Sequence, residues 1–345
     1  MIYLISKDKK QYKANLHCHS TFSDGKKTPE ELKEMYKSHG YSILAITDHE
    51  TPKSHSELSD DDFLMLTGYE AYIRPSETGT VDHYGSEIHM NLFARDPKNE
   101  KLICYNPWYI KYLPIERHGE IEKVGSEEPR QYTVEYINDF IKTAKENGYI
   151  VSYNHYGWSM EDEAQVLAYE GFFSMEMFNY DSSLYNGKEY NAVIYDKMLK
   201  KGKRVFCHSA DDNHNKAPAD SPYFDSFGGF AMIMPESLEY SSVFEALEKG
   251  EFYSSMGPTF KEVSFDGETV HVECSPVKRI TLHVGNKLPP RVIANDGEYI
   301  TSADFKIVPL DPRMKYIRVN VIDEYAKAAD TRGYFIDELL EKLGK

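Results

Sequence analysis

Asn15-Leu16-His17-Cys18-His19-Ser20, followed by Ser23-Asp24-Gly25, is the stretch on which the rest of the chain turns. It closes a short apolar segment, residues 12–19, of strand-like composition. Side chains at i and i+2 of an extended chain point the same way, so His17 and His19 can grip one metal ion from one backbone segment. Cys18 then faces the opposite side, and Asp24 follows just past the strand.

Segments of this kind, short, apolar and ending in a polar, chemically capable residue, recur along the chain. They are residues 12–19, 43–48, 63–70, 88–93, 149–154, 172–178 and 204–210. Each is short enough to be a buried strand. Helical signals lie between several of them. Thr28-Pro29-Glu30-Glu31 is a capping box with proline in the first turn, and Gly40 closes that helix. Thr133 opens a second helix that ends at Gly148. Further helices are expected from Ser159 to Gly171, over about 189–201, and near 238–250. Strands alternating with helices predict βα units and a mainly parallel sheet. Candidate ligands fall at or just after the C-terminal ends of six of the strands, the catalytic face of a (β/α) barrel. Seven strands rather than eight predict an incomplete or distorted barrel.

Two regions depart from that pattern. Residues 94–131 form a long insertion punctuated by Pro97, Pro107, Pro114 and Pro129, a candidate lid. After Met256-Gly257-Pro258, β-rich stretches at 263–265, 269–274, 280–284 and 316–321 alternate with turns such as Asn295-Asp296-Gly297-Glu298. They predict a small antiparallel sheet or sandwich ending in a short helix at 336–343. The expected division is a site-bearing domain over 1–256 and a β-rich domain over 257–345.

The chain has 345 residues, of which 41% are hydrophobic and 28% charged, an ordinary foldable composition. Its net charge is -16, with no lysine–arginine stripe, so a nucleic-acid duplex is not an expected partner. A small anionic substrate stays compatible, because bound divalent cations dominate a local field. Cys18, Cys104, Cys207 and Cys274 are widely spaced, which fits reduced thiols and a cytoplasmic protein. The N-terminal apolar run is too short for a signal peptide, and no run reaches the length of a membrane span. The 27 tyrosines fit partly exposed packing or an amphipathic pocket lining.

His17 and His19 are joined by His49, Glu70, His89, His155 and the Asp212-x-His214 pair. Imidazoles and carboxylates together suit Zn²⁺, Mn²⁺ or Fe²⁺. His89 competes with His83, and its apolar, strand-like flanks favour it. Asp211 competes with Asp212, and the i, i+2 relation to His214 favours Asp212. Asp48 is expected to orient an imidazole by accepting its other N–H. Glu176 fits either such a role or an acid at the edge of the core. Tyr156, Trp158 and Arg130 are candidate pocket residues. There is no GxSxG, no glycine-rich phosphate loop, and no serine–histidine pair, since His208 and Ser209 face opposite ways.

Taken with Thr47-Asp48-His49 and Gly68-Tyr69-Glu70, these motifs resemble the PHP (polymerase and histidinol phosphatase) superfamily over about residues 12–256. Phe252-Tyr253-Ser254-Ser255-Met256-Gly257-Pro258 and the β-rich tail resemble its CehA/McbA-type branch. The resemblance implies a distorted seven-stranded barrel holding two to three divalent metals. It implies His17, His19, Glu70 and Asp212 on one metal, with Glu70 bridging to a second completed by His89 and His155. Asp24, His49 and His214 would hold a third. The implied activity is hydrolysis of a small phosphate ester by a metal-bridging hydroxide, without nucleic acid or membrane as partner. A carboxyl ester or carbamate substrate is the enzymatic alternative, and a non-catalytic, metal-stabilised interaction module the other.

Overall fold

The computed structural model describes residues 1–75, 85–307 and 313–344. The strands of the first part are β1 (Ile2–Ile5), β2 (Tyr12–Asn15), β3 (Ile43–Ile46), β4 (Leu64–Ile73) and β5 (Ile88–Ala94). A two-stranded ribbon follows, β6 (Leu102–Ile103) and β7 (Lys123–Val124), and then β8 (Tyr149–Tyr153), β9 (Ser174–Asn179) and β10 (Phe206–Ala210). Helices α1 (Pro29–Ser38), α2 (Val134–Glu146), α3 (Tyr156–Ser159), α4 (Glu163–Val166), α5 (Tyr180–Asn186) and α6 (Ala192–Lys200) lie among them. Thr28 caps α1 through the expected capping box, and Thr133 caps α2.

All seven predicted strands are present, and they form one continuous ladder in the order β10-β9-β8-β5-β4-β3-β2. Six run parallel; β5 is antiparallel to both β4 and β8. This corrects, for β5, the expectation that candidate ligands fall at or just after the C-terminal ends of six strands. His89 lies at the beginning of β5, and the reversal brings that beginning to the rim where the other strands end.

β2 and β10 meet beyond their ends, through a parallel bridge between Cys18 and Asn213. Asp212 N–H donates to His17 O (2.9 Å) and His19 N–H to Asn213 O (3.0 Å). Below that bridge β11 (Phe230–Ile233) takes the other edge of β2, so the seven strands do not share one closed ladder. The result is a mixed α/β architecture. Its two faces are covered by the helices and by interior apolar clusters around Leu92, Val151 and Met175, and around Ala14, Leu66 and Leu247.

The remaining elements are α7 (Tyr240–Lys249), β12 (Phe252–Ser255), β13 (Phe260–Phe265), β14 (Thr269–Val277), β15 (Arg279–His283), β16 (Arg291–Ile293), β17 (Ile300–Lys306), β18 (Tyr316–Ile322), β19 (Ala328–Thr331), β20 (Tyr334–Phe335) and α8 (Ile336–Lys342). The large sheet continues from β12 through β19, β18 and β15 to β16. A second sheet, β1-β13-β14-β17, shares an apolar core with that extension, including Val263, Val272, Leu282 and Val319. The expected sandwich is therefore present, and it includes the N-terminal strand β1.

Residues 94–131 carry the β6–β7 ribbon and a 3₁₀ turn, Ile115–Gly119, and they bury Leu102, Ile103, Ile110 and Leu113. The insertion is a folded strap packed on the sheet.

Candidate metal centre

The rim loops are tied to one another by backbone bonds, and these aim the side chains. Thr47 N–H donates to Cys18 O (2.8 Å) and Glu50 N–H to Glu70 O (2.8 Å). Two rim residues that are not glycine hold left-handed backbone: Glu50 at φ +49° and Asp212 at φ +56°. Such conformations cost on the order of 1–3 kcal/mol each, and they persist where surrounding bonds fix them, commonly at functional sites.

Glu70 lies at the centre. Its two oxygens are within 2.8–3.5 Å of ring nitrogens of His17, His19, His49, His89 and His155. Asp212 Oδ1 stands 3.0 Å from both His17 Nε2 and His19 Nε2, and those two nitrogens are 3.2 Å apart. A third group gathers His19, Asp24, His49 and His214, with His214 Nε2 3.3 Å from Asp24 Oδ1.

Tautomers test whether cations fit. His17 Nδ1 donates to Glu176 Oε1 (2.7 Å), so its Nε2 carries a lone pair into the cluster. Ser23 Oγ–H donates to Asp48 (2.5 Å) and therefore accepts from His19 Nδ1 (3.4 Å), leaving the lone pair of His19 on Nε2 as well. His214 Nδ1 donates to Asp212 O (2.9 Å), which aims its Nε2 at Asp24. Acceptors thus face acceptors. Ligand atoms about 2.1 Å from one ion, at right angles or tetrahedral, lie about 3.0–3.4 Å apart, the spacing found here. Asp24 Oδ1, His49 Nδ1 and His89 Nε2 are buried without an aligned hydrogen-bond partner, although His214 Nε2 (3.3 Å), Glu70 (2.8 Å) and Glu87 (3.4 Å) respectively stand close by. These atoms fit divalent cations.

The charges agree. Burial pushes Glu70 up, but His89, His17 and His49 outweigh it and hold the carboxyl well below the usual range. Burial likewise opposes the shift of Asp212, which His17 and His19 bring down. Burial, followed by His214 and His49, lowers His19 to about 3. His89 rises to about 10 against its burial, because Glu70 and Glu87 face it. The two buried carboxylates call for positive charge at this spot, from protons or from cations.

All nine predicted ligands, His17, His19, Asp24, His49, Glu70, His89, His155, Asp212 and His214, converge at this rim. His155 reaches it through Nε2, 3.3 Å from Glu70 and 3.8 Å from Asp212. His83 lies outside the described residues. Asp211 is neither at the surface nor in the cluster. It accepts from Tyr36 and from the backbone N–H groups of Phe227, Gly228 and Gly229 at 2.7–2.9 Å. Glu176 resolves as the acid that orients His17.

Asp48 touches no imidazole directly. It accepts from Ser20 and Ser23 and reaches His19 only through Ser23, which corrects the expected contact. Arg130 is wholly buried against Glu50 and does not line the pocket. Tyr156 packs against the core, whereas Trp158 does line the pocket, edge-on to His89 and His155. Sequence reasoning missed Asn154, which donates to Glu70 (2.8 Å), and Asn179, which donates to Glu176 (2.8 Å) and Asp212 (3.1 Å). It also missed Glu87, 3.4 Å from His89, and Lys216, 3.0 Å from Asp24. An asparagine at a strand end was the one available signal.

The cluster forms the floor of a cavity of about 360 Å³ whose walls include Tyr72, Lys111, Trp158, Asp181, Tyr185 and Lys216. A larger cleft of about 740 Å³ lies apart from it, among Lys53, Arg95, Glu100 and Arg117. Lys53 and Arg117 pair there with Glu100, and Arg95 with Glu248.

The PHP domain family model matches residues 15–106, the stretch carrying six of the nine residues. No curated protein gives a significant match. Among solved structures, the chain is similar to a two-domain protein of Bacteroides vulgatus containing a predicted PHP-like metal-dependent phosphoesterase. Identity is 14%, coverage 94% of this chain and 87% of that one, and the TM-score 0.46. A candidate metal-dependent phosphoesterase of Bifidobacterium adolescentis is 17% identical, over 62% of this chain and 92% of that one, with a TM-score of 0.39. An amidohydrolase of Chromobacterium violaceum with bound sulfate is 16% identical, over 61% and 93%, at the same TM-score of 0.39.

Proposed function

We propose that the chain is a metal-dependent hydrolase of the PHP superfamily, of its CehA/McbA-type branch, that cleaves a small phosphate ester. The observation carrying this reading is the convergence of six imidazoles on Glu70, Asp212 and Asp24 at the floor of one cavity. In this reading the ladder from β2 to β10 is a distorted seven-stranded barrel within a hydrolase domain over residues 1–256, and 257–345 is the β-rich domain. Four buried, unpaired cysteines support a cytoplasmic setting.

His17, His19, Glu70 and Asp212 would hold one metal, His89 and His155 with Glu70 a second, and Asp24, His49 and His214 a third. Two or three divalent cations, Zn²⁺, Mn²⁺ or Fe²⁺, would supply an activated water and Lewis-acid contacts to the ester oxygens. The chain's own residues do the rest. Glu176 fixes the ring of His17, and Ser23 with Asp48 fixes that of His19. Lys111 and Lys216 place positive charge at the mouth, where a phosphate's outer oxygens would lie. Trp158 covers His89 and His155 and limits water beside them.

The test is turnover of nitrophenyl phosphates and nitrophenyl acetate by chelator-treated protein reloaded with each metal. Phosphate hydrolysis that vanishes in His17→Ala and Asp212→Ala supports the proposal. Acetate turnover alone moves the substrate to a carboxyl ester or carbamate. Metal binding with no turnover of either moves the chain to a non-catalytic module.

A further inference from the structure

Arg130 is the least expected residue near the site. Its guanidinium and the Glu50 carboxylate are both fully buried. They meet in a two-pronged pair, Nη1 to Oε1 at 2.5 Å and Nη2 to Oε2 at 2.9 Å. The three remaining N–H groups donate to Tyr72 O (2.8 Å), Cys104 O (3.1 Å) and Ile103 O (3.4 Å). All five donors are engaged, so Arg130 has nothing left to offer a substrate.

Its neighbours explain its place. Glu50 follows His49 and holds left-handed backbone at φ +49°. Its N–H donates to Glu70 O, and its Oε1 accepts from Tyr72 N–H (3.0 Å). One ion pair therefore gathers the His49 turn, the end of β4 at Glu70 and Tyr72, and the 103–104 stretch of the insertion. The insertion touches the same turn again, with Tyr112 stacked on His49 at 6.0 Å and Tyr109 under the guanidinium at 4.4 Å.

A fully buried ion pair is weak support for stability, since apolar residues of equal volume do as well. Its strength is direction: the fork admits one orientation of Glu50 and hence one course for the backbone of His49. We infer that Glu50 and Arg130 are a positioning pair through which the 102–131 strap sets His49 against Glu70, so that filling of the His49 metal site depends on this strap. The inference rests on the proposed function's reading of His49 as a ligand.

Calorimetric titration of chelator-treated full-length protein with Zn²⁺ tests it, comparing wild type, His49→Ala, Glu50→Gln, Arg130→Lys and Arg318→Lys. Arg318→Lys loosens a buried ion pair, to Asp196 and Asp330, that bonds to none of the nine candidate ligands, and serves as the stability control. Glu50→Gln and Arg130→Lys are expected to weaken, by about 10–100-fold, the same class of site that His49→Ala removes. The other sites should stay within about twofold. If Arg130→Lys fails to fold, Glu50→Gln alone decides. Unchanged affinities in Glu50→Gln overturn the inference, and so does weakening of every site together in step with the Arg318→Lys control. Wild-type protein that takes up no Zn²⁺ overturns the proposed function instead. Loss of a site in His49→Ala, with none in the pair variants, overturns the inference alone.

Discussion

Glu176 shows how much of the centre is decided one contact away from the ligands. Its carboxylate holds His17 Nδ1 at 2.7 Å and takes His155 N–H at 2.8 Å, so it fixes two candidate ligands at once. Glu176→Gln keeps the shape but removes an acceptor charge, and metal affinity should fall about 10–100-fold in competition with a chelating dye. An unchanged affinity would show that the ring of His17 needs no anion behind it. His208, which is none of the nine candidate ligands, bears on stability. His208 is fully buried beside Ser174, and burial lowers it to about 4. Between about 6.5 and 4 the unfolded chain takes up a proton that the folded state refuses. The contribution is intact above the upper value and lost as pH falls toward the lower one. Chelator-treated wild type should therefore lose roughly 2 kcal/mol more than His208→Gln between pH 7 and pH 5, read from urea midpoints. Parallel losses in the two proteins would rule this out. The convergence of the nine candidate positions was legible because the motif order resembles a known family, and the strand pattern puts most of those residues at one rim. Glu87 and Lys216 were not, since nothing local marks which polar residue a fold turns toward a site, and Asn154 and Asn179 had only their place at strand ends to mark them. Arg130 was misread for the same reason: sequence shows its charge and not its burial.

Strand β5 explains what was lost at the next scale. Apolar periodicity locates a strand but carries no direction, so residues 88–93 read like their neighbours although they run the other way. The third predicted helix is two short ones, because Met160 adopts φ +52° and Asp162 starts a new turn by capping Ala164. Helix α5 was not foreseen; it is seven residues long, with no capping box, held by Asn179 at one end and Gly187 at the other. The turn carrying Asp24 was legible, and its glycine has a physical reason. A Cβ on Gly25 would lie 2.3 Å from His19 O and 2.8 Å from Ser20 N. The next residue, Lys26, donates its N–H to His214 O (2.9 Å), so the turn also touches another candidate ligand of the Asp24 group. Gly25→Ala should force these strands of backbone apart, costing about 1–3 kcal/mol and removing one metal equivalent. Thermal melts with elemental analysis check both effects. A variant that melts like wild type with full metal content would show that the turn yields freely.

Across the whole molecule, the seam between the site-bearing part and the sandwich is built more like a core than a linker. The large sheet passes from β12 into β19 without a break, and β1 crosses back to pair with β13. Tyr253 and Met234 lie in the same apolar core as Val263 and Val319. Arg318 of β18 is fully buried there, bonded to Asp330 (2.6 Å) and across the seam to Asp196 of α6 (2.7 Å). Removing one member of such a network leaves uncompensated buried charge, so Arg318→Met should cost about 3–5 kcal/mol. Because the seam shares sheet and core, that loss is expected to lower one cooperative transition and not to split it into two. The same geometry bears on the boundary near residue 256. A chain ending at Met256 would leave β12 without β19, β1 without β13, and the apolar faces of Tyr253 and Met234 uncovered. It should aggregate even though it keeps all nine candidate ligands. Size-exclusion chromatography and a denaturant melt of residues 1–256, run with and without Zn²⁺, decide the point. A soluble monomer with a cooperative melt and full metal uptake would make the β-rich unit an appendage. Recovery of solubility only when residues 257–345 are supplied as a separate chain would instead locate the missing stability in the shared sheet itself.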